Sequence, residues 1–247
     1  MSEPGYTPQP PVARVRRAVS MRGVRPVVGD LARFGTQALA GLPWAVRGSR
    51  GSFELMGRRY PYLHHGHKLT WLTERAVEVP VAQAIVDGAA GKRVLEVGNV
   101  LSHYRPQTHV VLDKYEHAPG VLNLDVLELD GLGQFDLIVA ISTLEHVGWD
   151  EAPRDPGKPL RAIGALRSVL APGGLLVITA PIGYNPALDA AFRSGEAGLS
   201  RSTALRREPG TTRWRELATD DVWTTPYDFL IFRARAVLFG FIDAPGP

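Results

Sequence analysis

The sequence of 247 residues contains no cysteine, which excludes disulfide bonds, thiolate-bound zinc, iron–sulfur clusters and thiol catalysis. It also lacks any run of about 18 apolar residues, so no membrane-spanning helix is expected. An N-terminal apolar segment with a cleavage site is missing as well, and no secretory signal is predicted. These absences fit a protein of the reducing cytosol and predict a cytoplasmic location. With 45% apolar residues, the chain can still bury a full core.

Acidic residues are scarce in the first quarter of the chain. Residues 1–60 carry ten arginines and three acids, a net charge of +7, whereas the remaining residues carry 18 basic and 22 acidic side chains. The basic balance therefore belongs to an extension, residues 1–48, that precedes a folded domain at residues 49–247. The proline, arginine and glycine content predicts a flexible, largely disordered segment over residues 1–29.

One short helix is predicted inside this extension. Asp30 can cap it, Pro43 would end it, and an apolar stripe marks one side, formed by Leu31, Phe34, Ala38 and Leu42. We expect the stripe to pack on the domain rather than to lie on lipid. The extension as a whole is interpreted as a solvated tail, with a weak contact to a membrane surface or another anionic partner as the alternative.

Short apolar runs that end in polar residues dominate the region from residue 93 to residue 147. The runs cover residues 93–97, 110–112, 123–126 and 136–142. Continuous apolar runs of this length are typical of strands buried on both faces of a parallel sheet. Ligands of such sheets bind beyond the carboxyl ends of the strands. The predicted rim therefore holds Glu96, Asp113, Asp125 and the segment 142–146.

The connections between the first strands are too short for full crossover helices. About ten residues, including Pro106, separate the first two strands, and seven separate Asp113 from Val121, whereas a parallel crossover normally needs about a dozen. Farther on, the pattern predicts a helix over 160–170, a Pro172-Gly173-Gly174 turn and a strand over 175–180. A hairpin is predicted over 203–217, and a last strand over 236–242.

The order of five motifs resembles the class I S-adenosylmethionine (SAM)-dependent methyltransferases. The motifs are Val94-Leu95-Glu96-Val97-Gly98, Asp113, Asp125-Val126, Phe135–Val147 and Leu170-Ala171-Pro172-Gly173-Gly174. They are most similar to the group containing the ubiquinone- and menaquinone-pathway enzymes, and further motifs indicate a distinct bacterial branch. The resemblance implies an α/β fold with a Rossmann-like, doubly wound, mostly parallel sheet, here with shortened early crossovers. It also implies SAM as the cofactor.

The resemblance assigns the cofactor to seven residues, namely Glu96, Gly98, Asn99, Asp113, Asp125, Val126 and Ser142. A carboxylate at position 113 can accept both ribose hydroxyls, and one at position 125 can accept the adenine amino group. Gly98 would allow close approach of the backbone, and Glu96 would favour the methionine ammonium. The chain has one glycine where the family usually has three. Asp113 and Asp125 could instead cap strand ends, and Glu96 could pair with Lys92 or Arg93.

For the chemistry, the candidates are His146 and Glu145, with His103 behind them. The acceptor implied is a small molecule, such as a sugar, a lipid-linked intermediate or a natural product, with O-methylation favoured. His146 could alternatively be a packing residue. No metal site is expected, because the neighbouring side chains of His64, His65 and His67 diverge. A loop covering the active site is the interpretation of that segment.

Three other functions are weighed against methyl transfer. The thinned glycine motif favours a binding or scaffold protein that keeps the fold without methyl transfer. A nucleic-acid partner is not expected, because the arginine-rich tail has few aromatics and its charge is not on a folded scaffold. A dehydrogenase is disfavoured, because the Gly-x-Gly-x-x-Gly fingerprint is absent.

Overall fold

The computed structural model describes residues 11–47 and 51–246. Residues 1–10 and the predicted boundary between residues 48 and 49 lie outside the described residues. The helices are α1 (Pro11–Arg22), α2 (Val24–Arg47), α3 (Arg75–Gly88), α4 (Lys158–Ser168) and α5 (Pro186–Ser194), with 3₁₀ helices at His67–Leu72, Leu101–His103 and Thr219–Asp221. The strands are β1 (Ser52–Leu55), β2 (Arg58–Pro61), β3 (Val94–Val97), β4 (Val110–Leu112), β5 (Val121–Leu122), β6 (Phe135–Ile141), β7 (Leu170–Pro181), β8 (Arg201–Arg207), β9 (Trp214–Leu217) and β10 (Ala236–Asp243).

Eight strands form one sheet in the order β5-β4-β3-β6-β7-β10-β8-β9. The five strands from β3 to β7 are all parallel to their neighbours, and in chain order they read 3-2-1-4-5 across the sheet. That order belongs to doubly wound Rossmann-like sheets, and the switch point lies between β3 and β6. The predicted α/β fold with a mostly parallel sheet is therefore confirmed. All four residues of β3 are buried, as expected for a central parallel strand.

The early crossovers are short, as predicted. Only the 3₁₀ helix Leu101–His103 lies between β3 and β4, and the connections from β4 to β5 and from β5 to β6 contain no helix. Full crossover helices appear later, where α4 joins β6 to β7 and α5 joins β7 to β8. The carboxyl ends of β3, β4 and β5 are consequently followed by loops and one 3₁₀ helix.

The predicted turn Pro172-Gly173-Gly174 lies inside a strand. In the pairing of β6 with β7, Phe135 faces Leu170 but Leu137 faces Leu175, so the intervening residues of β7 form a bulge. Gly173 has a φ of +71°, which suits this excursion. Beyond the bulge, β10 runs antiparallel between β7 and β8, and β8 pairs with β9 in the predicted hairpin.

The N-terminal helices depart from the predicted disorder. Residues 11–22 and 24–47 are helical, and Gly23, at a φ of +82°, separates α1 from α2. Pro11 and Pro26 stand in first turns, where a missing N–H costs nothing, which explains why proline content misled the prediction. Pro43 lies inside α2 rather than ending it. The predicted stripe is not packed on the domain either, because Leu31 and Leu42 are exposed.

No helix within the two described ranges combines the length and the apolar composition needed to cross a membrane. α2 instead packs on the 3₁₀ helix His67–Leu72, where the indole N–H of Trp71 donates to the carbonyl of Gln37 at 3.1 Å. A side chain at Gly41 would overlap the Trp71 ring, so this contact requires glycine. The N-terminal hairpin is thereby fixed to the segment that leads into α3.

Candidate active site

A cavity of about 630 Å³ opens at the carboxyl ends of β3, β4 and β6. Residues 97–100 form its floor, the segments 112–116 and 124–126 form one wall, and residues 142–151 form another. His67, Lys68 and Arg75 close it from the N-terminal side. The cavity therefore lies at the switch point of the sheet, where ligands of this architecture bind.

Glu96 builds the loop under the cavity rather than facing into it. One carboxylate oxygen accepts the N–H groups of Val100 and Leu101 at 2.8 and 2.7 Å, and the other lies 2.7 Å from Nε2 of His109. The Glu96 side chain has no exposed surface. The expected contact with a methionine ammonium is therefore revised, and so is the alternative pairing with Lys92 or Arg93. Buried and fully hydrogen-bonded, Glu96 holds the loop in shape without the usual glycines.

The backbone of Gly98 packs closely against Thr143 in the cavity floor. Its φ is +84°, a conformation that side chains avoid. A Cβ at this position would stand 2.9 Å from Cγ2 of Thr143 and closer still to its hydroxyl oxygen. The one glycine retained in the motif is thus the one that the geometry of the cavity floor requires.

The carboxylates of Asp113 and Glu116 meet at the end of β4. Asp113 accepts the N–H of Asn99 at 3.0 Å with one oxygen and the N–H groups of Tyr115 and Glu116 with the other. The side chain of Asn99 donates to Glu116 at 2.6 Å, and Nε2 of His103 lies 3.3 Å from the second Glu116 oxygen. Asp113 and Asn99 both line the cavity, and their binding of a cofactor stays a prediction. Glu116 was not singled out from the sequence, because it lies beyond the strand end that the motif marks.

Asp125 is held by two lysines. Its Oδ2 lies 2.6 Å from Nζ of Lys158 and 3.2 Å from Nζ of Lys114, and its Oδ1 accepts the N–H of Leu127. Burial alone would raise the pKa of Asp125, but the hydrogen bonds from Lys158 and Leu127 outweigh it and lower that pKa. The carboxylate expected to receive an adenine amino group is therefore already committed. Its neighbour Val126 remains as a buried apolar lining residue.

Ser142 lines the cavity, but its hydroxyl points to a buried carboxylate. It donates to Glu78 at 2.5 Å, and Thr179 donates to the same oxygen at 2.7 Å. The other Glu78 oxygen lies 3.1 Å from Nη1 of Arg75, which also donates to the carbonyl of Ile141. Arg75 is a residue that sequence reasoning missed. The one feature of the sequence that could have indicated it is its position, as a cationic residue in the first turn of the helix that precedes the glycine motif.

His146 forms a dyad with an acid four residues later. Its Nδ1 lies 2.5 Å from Asp150, and the hydroxyl of Tyr184 donates to the same Asp150 oxygen at 2.6 Å. Burial would lower the pKa of His146, but the hydrogen bond to Asp150 and the negative charges of Glu145 and Asp150 raise it. Because Asp150 occupies Nδ1, Nε2 is the imidazole nitrogen left to exchange a proton.

Glu145 lies next to the histidine and is buried. Its side chain is 2% exposed, and its Oε1 is 3.6 Å from Nε2 of His146. Oε2 has no hydrogen-bond partner among the described residues. Burial raises the pKa of Glu145 to about 8, so the group is largely protonated at neutral pH. The two predicted catalytic residues therefore lie next to each other, and the pKa of each is raised.

The histidine-rich segment covers the cavity, as interpreted from the sequence. The rings of His67 and His103 stack with their centroids 4.6 Å apart, and both residues line the cavity. Burial, and then the neighbouring His103 and Lys68, lower the pKa of His67. Within the described parts of the chain, no group of three or more His, Asp or Glu side chains could hold a metal ion.

No protein-family model and no curated protein sequence matches the chain. Among solved structures, it is similar to the N-methyltransferase NodS of Bradyrhizobium japonicum in complex with S-adenosyl-L-homocysteine, at 16% identity and a TM-score of 0.44, over 70% of this chain and 87% of that one. The CcbJ methyltransferase of Streptomyces caelestis matches at 15% identity and a TM-score of 0.34, over 66% and 88% of the two chains. An S-adenosylmethionine-dependent methyltransferase of Clostridium acetobutylicum matches at 8% and 0.36, over 67% and 89%.

Proposed function

We propose that the protein is a SAM-dependent methyltransferase that acts on a small-molecule acceptor, with transfer to an oxygen atom favoured. One observation carries the proposal. A cavity at the switch point of the sheet brings together a glycine floor, two carboxylates at the end of β4, an apolar wall and an arginine. These four features match the parts of an adenosyl amino acid.

The residues present fit the cofactor part by part. Asp113 and Glu116 offer acceptors for two neighbouring ribose hydroxyls, and Val126 with Leu112 offers an apolar wall for the adenine ring. The floor at Gly98 leaves no space for a side chain. Arg75, at the other end of the cavity, can bind the carboxylate of the amino acid. When bound, SAM supplies a methyl group already activated on a sulfonium.

The protein's own contribution is then mainly positioning, together with removal of a proton. Holding donor and acceptor in line replaces a bimolecular encounter, which is the largest gain available to such an enzyme. His146 is the base in this proposal, because Asp150 fixes its Nδ1 and leaves Nε2 to take a proton from an acceptor hydroxyl. Glu145 does not compete, since it is itself protonated below a pH of about 8. His103 contacts Glu116 and so belongs to the cofactor side.

An aromatic cluster next to His146 points to the kind of acceptor. The Tyr184 ring lies 4.8 Å from the His146 ring, 5.1 Å from Tyr227 and 5.7 Å from Phe229. Phe229 is 48% exposed, so the cluster reaches from the dyad to solvent. We expect the acceptor to present its hydroxyl on an aromatic or otherwise apolar body.

Calorimetric titration tests the cofactor part with two ligands. Wild-type protein should bind both SAM and 5′-methylthioadenosine, which lacks the amino acid. Glu116→Gln should weaken both about 10- to 100-fold, as loss of a charged hydrogen-bond acceptor implies. Arg75→Lys should weaken SAM more than 5′-methylthioadenosine. Glu128→Gln, an exposed acid outside the cavity, is the matched control. Absence of SAM binding by the wild type at millimolar concentration would refute the proposal.

A second candidate is a binding or scaffold protein that retains the fold without methyl transfer. The observation in its favour is that the carboxylate of Asp125 is tied to Lys158 and Lys114 rather than open to adenine. This candidate gains support if SAM binds but no acceptor in a panel of phenols, sugars and amphiphilic alcohols receives a labelled methyl group. Labelling of any acceptor, with loss of labelling in His146→Ala, decides for the enzyme.

A further inference from the structure

Helix α2 carries an apolar stripe that the domain does not cover. Five side chains of the stripe are exposed, namely Val24 (61%), Val28 (57%), Leu31 (38%), Leu39 (69%) and Leu42 (48%). At 3.6 residues per turn, they fall within an arc of about 80° on the helix. Isolated exposed apolar residues are ordinary, but an aligned row over five turns of one helix calls for a covering surface.

Other sides of the same helix contact the domain. Val27 is 1% exposed, and Gly41 abuts the Trp71 ring. Gln37 accepts a hydrogen bond from Trp71 through its carbonyl and one from Arg233, at 3.2 Å, through its side chain. At 3.6 residues per turn, Val27, Gly41 and Gln37 lie about 80°, 120° and 160° from the centre of the stripe. The domain thus fixes α2 in an orientation that turns the apolar row outward.

The charge around the stripe is strongly positive. Residues 11–47 contain seven arginines and one acid, a net charge of +6. Arg16, Arg17, Arg25 and Arg33 are exposed. Arg25 lies about 80° from the centre of the stripe at 3.6 residues per turn. An exposed apolar row on a strongly basic helical hairpin is the pattern of helices that lie in the interface of an anionic membrane. A nucleic acid would be served by the arginines alone and would leave the row uncovered.

We propose that the α1–α2 hairpin docks on the surface of an anionic lipid bilayer, with the α2 stripe inserted among the acyl chains and the arginines at the headgroups. The proposal stands whether or not the cavity is a methyltransferase site.

The hairpin also contacts two segments of the domain, one of which lines the cavity. α2 packs on the 3₁₀ helix that supplies His67 and Lys68 to the cavity. In α1, Arg14 donates to the carbonyl of Leu230 at 3.4 Å, and its guanidinium lies 4.6 Å from the Phe232 ring. If the proposed function holds, the docked enzyme would receive an amphiphilic acceptor from the bilayer.

Sedimentation with vesicles tests the docking surface directly. Full-length protein should bind vesicles of phosphatidylcholine with phosphatidylglycerol, and bind those of phosphatidylcholine alone much less. The double variant Leu31→Glu/Leu39→Glu should lose at least about tenfold in partitioning. Removing one headgroup cation in Arg25→Gln should cost roughly fivefold, and less at high salt. Met56→Glu is the matched control, because Met56 is exposed to 48%, like Leu42, but lies on the β1–β2 turn. Circular dichroism and thermal unfolding establish that each variant is folded.

Two results would overturn the proposal. One is a wild-type protein that stays in solution with both kinds of vesicle. The other is a dimer in lipid-free analytical ultracentrifugation that Leu31→Glu/Leu39→Glu converts to a monomer, without vesicle binding by the wild type. That second result would assign the stripe to self-association.

Discussion

Replacing Gly98 by alanine tests whether its close packing against Thr143 matters in addition to its positive φ. A φ of +84° costs an alanine about 1–2 kcal/mol. In addition, its Cβ would stand 2.9 Å from Cγ2 of Thr143, inside the 3.0 Å limit that real Cβ atoms respect. Overpacking of this kind costs about 1–3 kcal/mol. The free energy of unfolding should therefore fall by about 2–5 kcal/mol, and SAM affinity should fall with it because the floor must move.

The control isolates the strain alone. Gly131 has a φ of +80° and nothing within 4 Å of where its Cβ would lie. Gly131→Ala should cost only the strain, about 1–2 kcal/mol. At about 2–4 °C per kcal/mol for a chain of this size, the two variants should differ clearly in melting temperature. Calorimetry with SAM should show lost affinity for Gly98→Ala and wild-type affinity for Gly131→Ala.

A second-site change should restore the floor. Thr143→Ala removes the hydroxyl and Cγ2 and leaves the Thr143 Cβ at 3.1 Å, which is tight but tolerable. Gly98→Ala/Thr143→Ala should therefore regain a part of both stability and SAM affinity. Wild-type SAM affinity in Gly98→Ala would refute the reasoning about the packing of Gly98 against Thr143. An equal loss of SAM affinity in Gly131→Ala would refute it as well.

Three further predictions concern ionisable groups. Asp150 raises the pKa of His146 above 6.5, so kcat/KM should rise with pH through a pKa above that value. Asp150→Asn should shift this rise to lower pH. A pH-independent rate would exclude His146 as the base. Between pH 4.5 and about 8, the folded protein holds a proton on Glu145 that the unfolded chain releases, so the free energy of unfolding falls as pH rises. Urea titrations should show that Glu145→Gln removes this part of the fall. The pKa of Asp125 is lowered from 3.8, so its pairing with Lys158 stabilises the fold above that pH, and this stabilisation is lost in acid. Asp125→Asn should be less stable than the wild type at neutral pH, and the difference between the two should shrink as pH falls.

The sheet could be predicted because burial on both faces leaves a direct mark on sequence. The strands β3 and β6 are runs of apolar residues with polar ends, and β6 differs from its predicted bounds by one residue at each end. The N-terminal helices were missed for a local reason. Composition counts prolines, whereas helix formation depends on where each proline stands, and Pro11 and Pro26 stand where a helix tolerates them.

The site was predicted less completely, because hydrogen-bond partners are set by tertiary structure. Glu96 follows the motif, yet its carboxylate turns to the N–H groups of the next loop. Asp125 meets Lys158 from a helix 33 residues away, which no local pattern reveals. Arg75 and Glu116 reach the cavity only because α3 and the β4 loop converge there. Residue types at strand ends thus located the cavity but not the direction in which each side chain points.

Two destabilising features of this fold lie beside the proposed base. Ser142 adopts a φ of +41°, and the adjoining segment holds Glu145 buried with one oxygen lacking a partner in the described chain. Strain of the first kind costs about 1–3 kcal/mol, and an unpaired buried polar group costs about as much. Both lie at the carboxyl end of β6, beside His146 and its Asp150. A protein that used this fold only as a scaffold would gain stability by replacing Glu145, for example with leucine. Local costs that coincide with an oriented histidine therefore favour chemistry at this site over a purely structural role.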